Sequence, residues 1–269
     1  MPVLQLKDTI AYSKEGLGPP VMLLHGFGED GSIWKPQAEK LSHFYQVICP
    51  DLPGSGLSEN LFQFDPAPTL EKLADLVAAI ADAESWNTFT LLGHSMGGYV
   101  TLAFAEKYPQ RLNGLGLIHS TAFADSAEKK EIRKKSISFI QANGTQAFME
   151  TMIPGLYSET FRNLHIETVR EHIREAGGYR KEVLIAWYQM MMNRPDRSDI
   201  LKQFSKPVLF VIGTEDKAVH LEDSLAQCYW PEYNHVSILN GVAHMGMVEK
   251  PDEVTAIIKD FLKQLNPES

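Results

Sequence analysis

The sequence predicts an α/β protein, a mostly parallel central sheet with helices on both faces plus a helical cap inserted near its middle. Three observations lead there. Strand-like and helix-like runs alternate along the chain, the pattern of a parallel sheet covered on both sides. The strand-like runs are almost continuously apolar, as burial on both faces requires. The alternation is interrupted once, between Ser120 and about Leu201, by a segment dense in helical pattern and without a clear strand.

The elements follow in order. The N-terminal stretch MPVLQLKDTIAYSKEG alternates polar and apolar residues like a strand. VMLLHG (21–26), YQVICPD (45–51), FTLLGHS (89–95), GLGLIHS (114–120), PVLFVIG (207–213) and HVSILNG (235–241) read as buried strands. TLEKLADLVAAIADA (69–83) sets Leu70, Leu73, Leu76, Val77 and Ile80 on one helical face. MGGYVTLAFAEKYP (96–109) is helical up to its proline, and PDEVTAIIKDFLKQL (251–265) forms a last helix. In the interruption, SAEKKEIRKKSISFIQANG, SETFRNLHIETVREHIREAGG and YRKEVLIAWYQMMMNR all carry helical spacing. Residues 1–121 and 201–269 are therefore assigned to the core and 122–200 to a helical cap. The cap follows a strand whose C-terminal end faces the ligand edge of an open α/β sheet, so it is placed to cover a site.

Composition excludes several classes. With 269 residues, 44% of them hydrophobic and 22% charged, the chain has the balance of an ordinary globular domain with a sizeable core. A net charge of -9 offers no basic surface to displace counterions from a nucleic acid. The densest basic cluster, KKEIRKK at 129–135, is read as a solvated helix face. No apolar stretch is long enough to span a bilayer, and the N-terminus carries no basic-then-apolar signal pattern. Cys49 and Cys228 suggest buried free thiols rather than a disulfide, and a cytoplasmic enzyme is expected.

The chemistry concentrates at Gly93-His94-Ser95-Met96-Gly97, followed by Gly98, between a strand and an amphipathic helix. A sharp strand-to-helix turn there would hold Ser95 in a strained backbone conformation with its hydroxyl projecting at a helix N-terminus. Side chains two positions either side would collide, which accounts for both glycines.

With four other segments this elbow makes the chain similar to the α/β-hydrolase family. The segments are His25-Gly26-Phe27-Gly28 after an early strand, and Asp51-Leu52-Pro53-Gly54-Ser55-Gly56-Leu57-Ser58 after the next. Gly213-Thr214-Glu215-Asp216 follows a late strand, and Gly241-Val242-Ala243-His244-Met245 precedes the Pro-led final helix. The resemblance spans residues 21 to 251 apart from the insertion. It implies a serine nucleophile, Ser95, an orienting acid, Asp216, and a general base, His244. It also implies an oxyanion hole made by the backbone N–H groups of Met96 and Phe27.

The residues support these roles independently. Of nine histidines, His235 opens its strand and lies at the wrong edge, and His165 and His172 belong to a cap helix. His25, His94 and His119 sit at strand ends, the first two suiting turn geometry, whereas His244 follows its strand through a short loop from which an imidazole can reach the serine. For the acid, Glu215 is chemically able, and Asp125 is the candidate after the preceding strand. Phe27 and Trp34 either wall a pocket or pack in the core. The same alternative holds for Trp187 and for the cap methionines Met149, Met152, Met190, Met191 and Met192.

No metal or cofactor is expected. Gly54-Ser55-Gly56 lacks the helix and third glycine of a dinucleotide loop, and no H-E-x-x-H, C-x-x-C or Walker pattern occurs. His165 and His172 stand seven apart, a spacing a metal could use, but no third ligand accompanies them. The expected activity is hydrolysis of a small or medium, uncharged carboxylic ester through an acyl-enzyme. The same residues would also serve a thioesterase, an amidase, a C–C bond hydrolase or an acyltransferase, and the fold also hosts non-catalytic small-molecule receptors. Arg162, Arg180 and Arg194 would matter for acidic substrates only if they faced the pocket. The partner is a small-molecule substrate; the sequence leaves oligomeric state open.

Overall fold

The computed structural model describes residues 3–5, 9–58 and 68–265. Residues 1–2 and 6–8, part of the expected N-terminal strand, lie outside the described residues. Eight strands form one sheet: β1 (Val3–Gln5), β2 (Thr9–Glu15), β3 (Pro20–Leu24), β4 (Gln46–Pro50), β5 (Phe89–His94), β6 (Leu112–Ile118), β7 (Val208–Gly213) and β8 (Asn234–Leu239). Their order is β1-β2-β4-β3-β5-β6-β7-β8. From β4 to β8 every pairing is parallel, and β2 joins β4 antiparallel. All residues of β5 and β7 are buried, as their unbroken apolar runs require, whereas β8, also expected to be buried, lies at the sheet edge and leaves Val236 and Ile238 exposed.

That order decides where helices lie. The chain steps from β3 to β4 in one direction, then crosses back to β5 and continues outward to β8. Right-handed crossovers therefore put helices on opposite faces. α1 (Lys35–Leu41) packs with α11 (Pro251–Leu265), and α2 (Leu70–Ala83) packs with α3 (Met96–Lys107). On α2 the five apolar positions of the predicted face are all buried, and Thr69 caps it by accepting from the Lys72 amide at 3.3 Å. The direction of strand succession reverses between β3 and β5, where an open parallel sheet leaves a crevice beyond its strand ends. His25-Gly26-Phe27 follows β3 and Ser95 follows β5, so both lie at that point.

Between β6 and β7 the chain is helical: α4 (Ala127–Met152), α5 (Glu159–Leu164), α6 (Ile166–Gly177), α7 (Lys181–Met192) and α8 (Ser198–Gln203). α4 is interrupted at Gly144, whose φ of 83° is left-handed. The expectation that His165 and His172 belong to one cap helix is corrected here. His165 is the residue between α5 and α6, while His172 is buried in α6 with Nδ1 2.9 Å from the Tyr157 hydroxyl. The helices α9 (Leu221–Cys228) and α10 (Gly246–Glu249) complete the core, and Cys49 and Cys228 are buried free thiols. Among the described residues, no helix is long and apolar enough to cross a membrane.

Candidate active site

Ser95 takes φ 49° and ψ -113°, a conformation that costs an L-residue of order 1–3 kcal/mol and persists only where its surroundings enforce it. They do so by close backbone approach. A Cβ on Gly93 would lie 2.3 Å from the Gly97 carbonyl carbon, and one on Gly97 would lie 2.6 Å from the Leu24 carbonyl oxygen. The elbow is pinned from β6: the Ser95 N–H donates to the Ile118 carbonyl at 3.0 Å, and the Ser120 hydroxyl donates to the Ser95 carbonyl at 2.7 Å.

Beyond β7, Asp216 is buried while its neighbour Glu215 is exposed, which separates two carboxylates that the sequence left open. Asp216 Oδ2 lies 2.8 Å from His244 Nδ1, and Oδ1 accepts from the amides of Ala218 and Val219 at 2.8 and 2.9 Å. Burial opposes its ionisation, but the His244 imidazole and the bonds it receives outweigh that and hold the carboxyl far below the usual range. Asp125, the alternative acid, is turned away into a pair with Arg133 Nε at 2.6 Å and Arg194 Nη1 at 2.7 Å.

The loop bearing His244 is held by the insertion and by α10. Its own N–H donates to the Leu156 carbonyl at 2.9 Å. Glu249 accepts from the amides of Ala243 and Ser158 at 3.0 and 3.2 Å. Two further histidines crowd the centre. His94 has Nδ1 2.9 Å from Glu29 Oε2 and Nε2 3.0 Å from the His244 carbonyl oxygen. Both ring nitrogens face acceptors. Burial works against ionisation of Glu29, yet the neighbouring His94 imidazole and the Gly26 amide that donates to it hold its carboxyl at about 2. His119 is fully buried with Nδ1 3.3 Å from Asp216 Oδ2, outside good hydrogen-bond geometry, and burial lowers its pKa to about 4.

Sequence reasoning missed Glu29, Glu249 and the place of His119, because each acts through a contact made only on folding. The donor atoms of His119, Asp216 and His244 lie within 4.8 Å of one another. Asp216 already accepts from one imidazole and two amides.

The remaining motif residues build the floor. His25 Nδ1 lies 2.8 Å from the Gly26 carbonyl, and its Nε2 accepts from the Leu52 amide at 2.9 Å. Asp51 accepts from the amides of Gly31 and Leu57, each at 2.9 Å. Gly56, with φ 46°, would bring a Cβ within 2.3 Å of that carboxylate. The Asp51–Ser58 segment thus braces the turn carrying Phe27.

Ser95 and His244 open into a cavity of about 420 Å³, whose apolar wall includes Phe27, Met152, Leu156, Tyr188 and Met191. Trp34, Met149 and Trp187 are not among the residues lining it. All three are fully buried in the core, where large apolar groups pack, although the Met149 methyl would lie 3.2 Å from a Cβ placed on Gly28. Met96 is likewise buried, at the first position of α3. The expected solvation of the 129–135 cluster holds only in part. Lys129 and Arg133 are half-buried and line the cavity, while Lys134 and Lys135 are exposed. None of the three arginines singled out from sequence lines it: Arg162 donates to the Pro154 carbonyl, Arg180 faces Glu182, and Arg194 sits behind the wall on Asp125.

The alpha/beta hydrolase family model matches residues 21–257. The chain belongs to that family. Among solved members, a thermophilic esterase from Thermogutta terrifontis is 32% identical with a TM-score of 0.90, over 96% of this chain and 94% of its own. A pimeloyl-[acyl-carrier protein] methyl ester esterase from Xanthomonas oryzae pv. oryzae is 26% identical over 255 residues, 92% of this chain and 96% of that protein. The abhydrolase domain-containing protein abhd-5.2 of Caenorhabditis elegans is 32% identical over 126 residues. That stretch covers 45% of this chain and 28% of the worm protein. The alpha/beta hydrolase chain thus has relatives named as esterases over nearly its full length.

Proposed function

We propose that the protein is a serine hydrolase that cleaves a small or medium carboxylic ester through an acyl-enzyme, with Ser95, His244 and Asp216 as its triad. The full-length likeness to esterases supports the ester bond. The observation that carries the mechanism is the 2.8 Å bond from His244 Nδ1 to a buried Asp216, with His244 lining the same cavity as a strained Ser95.

In this reading Asp216 fixes the proton on Nδ1 and leaves Nε2 free as the base. His244 takes the Ser95 proton as Oγ bonds to the acyl carbon, and the carbonyl oxygen becomes an oxyanion. The amides of Met96 and Phe27 receive that charge, each such donor being worth about 10²–10³ in rate. His244 then returns the proton to the leaving alcohol. Water, deprotonated by the same ring, splits the ester to Ser95 and frees the acid. Residues 122–200 serve as a cap over the acyl group, which Phe27, Met152 and Met191 support by facing the cavity. Buried free thiols at Cys49 and Cys228 fit a reducing, cytoplasmic setting.

The test is fluorophosphonate labelling together with hydrolysis of p-nitrophenyl butanoate. The parent should label at Ser95 and turn over, while Ser95→Ala should do neither. An unlabelled parent, or a Ser95→Ala variant within tenfold of parental activity, would remove Ser95 from the mechanism.

A further inference from the structure

The cavity is not uniformly apolar. Lys129, Ile132, Arg133 and Ser136, at i, i+3, i+4 and i+7 on α4, all line it. Behind this stripe one carboxylate serves two guanidiniums. The Asp125 side chain is 0% exposed and bonds both Arg133 and Arg194, whose side chains are 13% and 3% exposed. One negative charge against two positive charges leaves an excess cation in a wall shielded from solvent. Lys129, whose ammonium donates to the Ala218 carbonyl at 2.7 Å, adds another.

The counter-charges that line the cavity lie elsewhere. Glu29 is committed to His94, and Glu128 and Asp223 are exposed, where water screens them. Arg133 uses Nε and one Nη2 proton on Asp125. Among the described residues its Nη1 group and second Nη2 proton have no hydrogen-bond partner. Its guanidinium lies 5.3 Å from the centre of the Tyr188 ring, another wall of the cavity.

Tyr99 reports the resulting field. Its ring lines the cavity with the Arg194 guanidinium 4.0 Å from its centre. Burial alone would raise its pKa, yet the charges of Arg194, Lys129 and Arg133 overcome both burial and Asp125 and lower it.

From this arrangement, which rests on the ester-hydrolase reading, we infer that the cavity selects esters bearing a second, anionic group, a dicarboxylic half-ester in the simplest case, held by Arg133 and Lys129. A planar guanidinium with free N–H groups matches a carboxylate, and Lys129 supplies a second point charge. The apolar wall between takes the methylenes joining that carboxylate to the scissile ester. An uncharged acyl chain, the expectation from sequence, would leave those cations buried against hydrocarbon.

The experiment compares kcat/KM for monomethyl glutarate and monomethyl adipate with methyl pentanoate and methyl hexanoate, followed by pH-stat. The half-esters should be favoured about tenfold or more, the range of a charge-assisted hydrogen bond made in a partly dry site. Arg133→Gln should lower that ratio at least about tenfold, Lys129→Gln less, and Arg133→Lys should restore part of it. Arg133→Gln keeps Asp125 paired with Arg194, and Lys129→Gln alters a half-exposed site, so one of the two keeps the fold. Wild-type preference for the neutral esters, or a ratio unchanged in both Gln variants, would overturn the inference. Calorimetric titration of Ser95→Ala with glutarate and with pentanoate separates this from the hydrolase reading. Arg133-dependent binding of glutarate without turnover of any ester by the parent would sink the hydrolase reading alone. Turnover of neutral esters without glutarate binding would sink the anion site alone.

Discussion

Replacing Asp216 by asparagine tests the centre of the mechanism, because the change keeps shape and removes only the means of choosing a tautomer. The carboxylate accepts three hydrogen bonds: His244 Nδ1 on Oδ2, and the Ala218 and Val219 amides on Oδ1. An asparagine that keeps its oxygen on the two amides must turn its NH₂ toward His244. That ring can then only accept at Nδ1, so its proton moves to Nε2, the atom that should take the proton of Ser95. The flipped asparagine would restore the tautomer but set its NH₂ against two amide donors. At about 1–3 kcal/mol for each buried donor left unpaired, the productive form lies about 2–6 kcal/mol uphill. With about 1.4 kcal/mol per decade, the loss in kcat is at least about 30-fold and is expected near 10⁴. KM should change little, since Asp216 is not among the residues lining the cavity. The assay is steady-state hydrolysis of p-nitrophenyl butanoate, with Glu215→Gln and Asp125→Asn as controls. Glu215 is exposed and Asp125 faces two arginines, so neither should approach the Asp216→Asn loss. A kcat for Asp216→Asn within tenfold of the parent would refute the role given to Asp216.

Ser95→Gly should abolish turnover yet raise stability to chemical denaturation by up to about 1–2 kcal/mol, since glycine adopts φ 49° without strain; a fall in stability would mean that the elbow is not strained. His119 stays neutral down to about pH 4 in the folded protein, while the unfolded chain binds a proton near its ordinary 6.5. Stability should therefore fall as pH drops from about 6.5 to about 4, with His119 contributing up to about 1.4 kcal/mol per pH unit. Burial lowers His25 and His172 in the same sense, so His119→Asn should flatten that slope without removing it; an unchanged slope in denaturant titrations would refute the assignment. Along straight-chain p-nitrophenyl esters from two carbons to sixteen, kcat/KM should rise by up to about fourfold per methylene, then fall once the cavity of about 420 Å³ is full. A flat profile would exclude this cavity as the acyl site.

The residues legible in sequence are those whose requirement is local. Gly93 and Gly97 are glycines because backbone touches backbone there, and Ser95 stands out because only that turn needs both. The core strands were legible because burial on two faces leaves no polar position, and α2 because its apolar residues recur every three or four places. His244 and Asp216 could be placed because each follows a strand at the sheet edge where Ser95 emerges. Folding decided what depends on the direction of a single side chain. Asp216 and Glu215 are adjacent and chemically equivalent, and only the turn after β7 buries one and exposes the other. Glu29 meets His94 across 65 residues of sequence, and Arg194 meets Asp125 across 69, separations at which spacing carries no signal. Trp34 and Trp187 illustrate the same limit, since large apolar groups suit a core and a pocket wall equally well and both went to the core. The basic run at 129–135 is the clearest case. Lysine and arginine have long, flexible stems that suit solvent on any helix face, so composition placed the whole run in water. The packing of α4 against α7 turned two of its members toward the cavity, and with them the charge of the candidate site.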